Sequence, residues 1–137
     1  DEPWQIAFYD LDWAFQTRSN CFFNLIGSEQ TAQIAPTIRW LLGIDDFRER
    51  LLTRYAELTE TTLSDEHVTE KIDEFRALLA PEIARERAHW GGSEEGWNKQ
   101  VDALRANIAD DYAAHTVRNL CSALGVGEEE RMEYFGF

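Results

Sequence analysis

The chain has 137 residues, 44% hydrophobic and 28% charged, a balance that suits one soluble domain burying about two-thirds of its unfolded surface. No run reaches the roughly eighteen consecutive apolar residues of a membrane-spanning helix, and the opening DEPWQ lacks the basic and apolar stretches of a signal peptide. Thirteen Lys and Arg against twenty-six Asp and Glu give a formal net charge of −13, the wrong sign for a phosphate-tracking surface, so nucleic acid is excluded as the expected partner.

In chain order, Trp4, Ile6 and Phe8 alternate with Ala7 and Tyr9 across residues 4 to 10, which predicts a short strand covered on both faces. A lone strand leaves backbone groups unpaired, and the remaining pattern is helical, so its partner strands are expected before residue 1. The absence of an initiator Met fits the same expectation, that the chain is a piece of a longer protein. Residues 13 to 30 carry Asn20, Asn24, Gly27 and Ser28 among aromatics and read as a partly buried loop with a short helix.

From Pro36 the apolar period becomes helical. Ile38, Leu41 and Leu42 predict a first helix ending at Gly43. Asp45 and Asp46 favour a new helix start, and Phe47, Leu51, Leu52, Tyr55 and Leu58 form its inward stripe, with Arg48, Glu49, Arg50 and Glu57 outside it. Ser64 is the N-cap of a third helix, with Asp65 and Glu66 complementing its dipole and Val68, Ile72, Phe75 and Leu79 inward. Pro81 either kinks that helix or opens another with Ile83 inward, and Gly91 and Gly92 end the segment. Ser93 caps the last and longest helix, whose stripe of Trp97, Val101, Leu104 and Ile108 continues through Val117, Leu120 and Leu124 to Gly125, with a bend near 110 to 114. The tail, GEEERMEYFGF, adds a short helix or docks on the body.

The one short constellation with chemical content follows the strand: Tyr9-Asp10-Leu11-Asp12-Trp13-Ala14-Phe15. On extended backbone, residues i and i+2 point the same way, so Asp10 and Asp12 face one site with Cα atoms roughly 6.5 Å apart. Mg²⁺ takes one or two protein carboxylates and fills its other positions with water and phosphate oxygens, which makes such a pair a candidate nucleotide-metal site. The plain alternative is a pair of solvated or turn-capping carboxylates.

Elsewhere the signals read as structural. Cys21 and Cys121 have no zinc-ligand spacing and are read as two buried free thiols, a disulfide between them being the alternative. His67, His89 and His115 pair with no nucleophile in a local signature, and His89 suits a helix C-terminus. Trp40, Trp90 and Trp97 read as packing anchors, and Glu82, Arg85, Glu86 and Arg87 as a solvated helix face.

The sequence resembles the C-terminal part of the CotH family, the spore coat protein H type of atypical protein kinase. The likeness rests on PWQIAFYDLDWAF, DDFRERLLTRYAELTETTLS, EHVTEKIDEF, the Pro81-Glu82-Ile83 step, HWGG and the helix from Trp97 through Leu104, in order along nearly the whole chain. It implies a mainly α fold for residues 1–137, the helical bundle-like C-lobe of a kinase-like domain with a short N-terminal β segment. It further implies that Asp10 binds the cofactor, Mg²⁺ or Mn²⁺ with ATP, and that Asp12 is a second metal ligand or an orienting group. The implied partners are nucleotide and a protein substrate bearing Ser or Thr, in a cell-envelope, spore-surface or secreted setting.

No Gly-rich phosphate loop, strand lysine or catalytic loop with its Asp base occurs in these residues. The resemblance puts those elements before residue 1, so no catalytic residue is expected within the chain, which by itself would be inactive. Two positions depart from the family pattern. Gln16 stands where Gly usually follows the aromatic, and Tyr112 stands where Arg is expected. The rival reading is a pseudokinase, a helical structural or interaction module that keeps the two carboxylates as a relic.

Overall fold

The computed structural model describes residues 35–137, together with Phe22 and Ile26 of the segment before them. The expected strand at 4 to 10, Asp10, Asp12 and Cys21 therefore lie outside the described residues, as does the loop at 13 to 30 apart from Phe22 and Ile26, both on helical backbone. The described chain is mainly helical: α1 (Ala35–Leu42), α2 (Asp45–Glu60), α3 (Asp65–Trp90), α4 (Glu94–Ala109), α5 (Tyr112–Leu124) and α6 (Glu128–Phe135), with no strand among the described residues.

The punctuation of these helices follows local chemistry. The Gly43 N–H donates to the Arg39 carbonyl and closes α1. Ser64 Oγ accepts the His67 N–H at 3.2 Å and Ser93 Oγ accepts the Gly96 N–H at 3.0 Å, satisfying donors that the first turns of α3 and α4 would otherwise leave open. Gly91 and Gly92 take positive φ of 88° and 97°, which a side chain would strain, so α3 stops there. Gly125 at φ 65° ends α5 in the left-handed cap, with the Val126 N–H returning to the Cys121 carbonyl at 2.9 Å.

Of the two alternatives at Pro81, a new helix is ruled out: the 26-residue α3 runs through it, with Ile83 buried as expected. A proline at this position removes one backbone hydrogen bond, at a cost of about 3 kcal/mol in an isolated helix. Side-chain bridges to α4 offset part of that cost: Arg76 donates to Asn98 Oδ1 and Asp102 Oδ1, and Arg105 Nε to Asp73, which lays α3 and α4 antiparallel. The stretch from Ser93 to Gly125, read as one bent helix, is two. Asp111 takes φ 60°, a conformation Asp tolerates better than most residues, and the chain turns between Ala109 and Tyr112. The longest described helix is thus α3.

The core lies where α2, α5 and α6 meet. Leu52 is fully buried against Val117, Leu120, Cys121 and Phe135, with Phe22, Tyr55, Ala56 and Leu124 around them. Burying one such aliphatic side chain is worth about 2 kcal/mol. Tyr55 meets Phe22 and Phe135 edge to face, with ring centroids 5.9 and 6.5 Å away, an arrangement that the ring quadrupoles favour. Arg48, expected outside the stripe of α2, is instead half-buried and grips Glu130 of α6 with both guanidinium nitrogens, one pair at 3.0 Å. The inward stripe assigned to α3 holds only in part: Val68 and Ile72 are half-buried, but Phe75 is 59% exposed and Leu79 is exposed as well.

Candidate functional site

The candidate metal ligands Asp10 and Asp12 lie outside the described residues, as does Gln16. Among the described residues, Glu60, Asp65 and Asp111 meet at the joint between the α3–α4 hairpin and the α2–α5–α6 core. Ser64 already caps α3, which frees the Asp65 side chain to reach across: its Oδ1 accepts the Ala113 N–H at 2.7 Å, capping the neighbouring helix α5 rather than its own. Asp111, at the turn, accepts from Arg118 Nη2 at 2.8 Å. Glu60, Asp65 and Asp111, with Val117, Phe135 and Phe137, line a cavity of about 180 Å³.

At this joint the Asp65 and Asp111 carboxylates serve helix ends and an ion pair. Among the described residues no group of three or more His, Cys, Asp or Glu is arranged to hold a metal ion. The two carboxylates singled out by sequence, Asp10 and Asp12, are a donor set whose chemistry suits a hard divalent cation, leaving coordination positions for water and phosphate oxygens.

The other residues singled out by sequence are dispersed. Tyr112 opens α5 and faces a cavity of about 270 Å³ shared with Tyr55, Leu63, Val68, Ile108 and Thr116. His89 sits in the last turn of α3, as expected, with its ring edge to face with Trp90 at 4.6 Å. Trp40 and Trp90 are not packing anchors within the described chain, being 68% and 76% exposed, whereas Trp97 is half-buried. Cys121 is free and buried in the core, where burial pushes its thiol pKa above the ordinary value.

Sequence reasoning missed two residues that organise this region. By sequence Asp65 serves only the dipole of its own helix, and the turn at Asp110 and Asp111 is what brings the start of α5 to it. Arg48 was placed on the solvent side of α2, and its partner Glu130 lies 82 residues on, in a tail of three successive glutamates that offers no sign of which one pairs. The Arg48 contact holds the Glu130 carboxyl below its ordinary pKa, and the same contact raises that of Arg48.

A family model described as CotH kinase protein matches residues 1–113. The chain belongs to the CotH kinase family. No curated protein and no solved structure matches it. The CotH match includes both Asp10 and Asp12, covers α1 through α4 and ends at Ala113, the residue whose N–H Asp65 holds. Its end is not a structural boundary. Val117, Leu120, Cys121 and Phe135, all beyond the CotH match, pack on Leu52 within it. None of the described helices is long and apolar enough to cross a membrane.

Proposed function

We propose that the chain is the distal helical portion of a CotH-type protein kinase domain that transfers the γ-phosphoryl group of ATP to Ser or Thr hydroxyls of a surface or coat protein. The observation that carries this reading is the family match over residues 1–113, which takes in the acidic pair after the first segment.

In this reading the Asp10 carboxylate holds the divalent ion that carries the ATP phosphates, and Asp12 either supplies a second oxygen or orients the first. Bound Mg²⁺ or Mn²⁺ neutralises charge on the transferred phosphoryl group, the main electrostatic demand of such a reaction. The base that accepts the hydroxyl proton and the lysine that positions the phosphates belong to the part of the domain preceding residue 1. In this reading the isolated chain is inactive.

A radiolabel-transfer assay on the complete protein that carries this chain tests the proposal. Transfer from γ-labelled ATP is expected in the unmodified protein and in Glu129→Ala, an exposed residue of α6 outside the family match, and is lost in Asp10→Ala. Absence of transfer in the unmodified protein overturns it in favour of a non-catalytic helical module, and undiminished transfer in Asp10→Ala overturns the role given to Asp10.

A further inference from the structure

We draw no further inference here: the strongest candidate, the exposed apolar stripe of Phe75, Leu78 and Leu79 on α3, carries nothing because nothing in the structure shows what covers it.

Discussion

Replacing Asp65 with Ala removes the acceptor that ties the start of α5 to the start of α3. A lost helix N-cap costs about 1 kcal/mol, and a hydrogen bond to a charged acceptor lies toward the upper end of that range. Asp65 also complements the dipole of α3, worth about 0.5 kcal/mol at a partly exposed helix start. The sum is about 1.5 kcal/mol. Glu66→Ala is the matched control, because Glu66 occupies the same first turn, is exposed and loses only the dipole share. The difference between the two variants, about 1 kcal/mol, therefore isolates the bond to the Ala113 N–H. In urea, with a slope of about 1.5 kcal/mol/M, that difference lowers the midpoint of Asp65→Ala by about 0.7 M relative to Glu66→Ala. Asp65→Asn keeps an acceptor oxygen and is expected between the two, and hydrogen exchange at the Ala113 amide should accelerate in Asp65→Ala alone. Equal urea midpoints for Asp65→Ala and Glu66→Ala would refute the cross-helix cap.

The Arg48 and Glu130 side chains are 28% and 32% exposed, so a double-mutant cycle of Arg48→Met and Glu130→Gln should return a coupling of about 1 kcal/mol, the upper range for solvent-accessible pairs. Because the folded carboxyl of Glu130 titrates below its ordinary value of 4.5, this coupling is fully present above that pH and fades as pH falls through the lowered value. Arg48, whose pKa the same contact raises, keeps its charge throughout the neutral range, so the coupling is lost on the acid side through Glu130. A coupling that persists at pH 2 would contradict the assignment. Cys121 should resist a thiol reagent in the folded chain and react at the rate of global unfolding, since burial disfavours its thiolate; rapid labelling of Cys121 in a Cys21→Ser background under native conditions would contradict that placement.

The helical part of the architecture was legible because its signals are local. Ser64 and Ser93 cap the helices they were assigned to, Gly43, Gly91 and Gly125 end theirs, and Leu52, Ile108, Val117 and Leu120 lie inward as their spacing implied. The failures concern interactions between distant segments. At Pro81 the sequence left two alternatives, and the continuous α3 is bridged to α4 by Arg76 and Asp73, partners that the residues around Pro81 do not reveal. The division of α4 from α5 rests on one left-handed Asp111, whereas the apolar period runs on across it. Phe75 and Leu79 fit a helical stripe perfectly well, yet periodicity reports only which residues share a face and not whether another element covers it. The acidic pair is a different case: Asp10 and Asp12 gain chemical meaning from the aromatic residues around them and from the family pattern, because two carboxylates at a strand end are common in proteins without a metal.

The central claim, that Asp10 holds a divalent ion together with nucleotide, is tested most directly by electron paramagnetic resonance titration of Mn²⁺ with ATP into the complete protein that carries this chain. The unmodified protein should deplete the free Mn²⁺ signal in an ATP-dependent manner, with Asp10→Asn at least about tenfold weaker and Asp12→Asn affected less. Equal, ATP-dependent Mn²⁺ uptake by Asp10→Asn and the unmodified protein would contradict it.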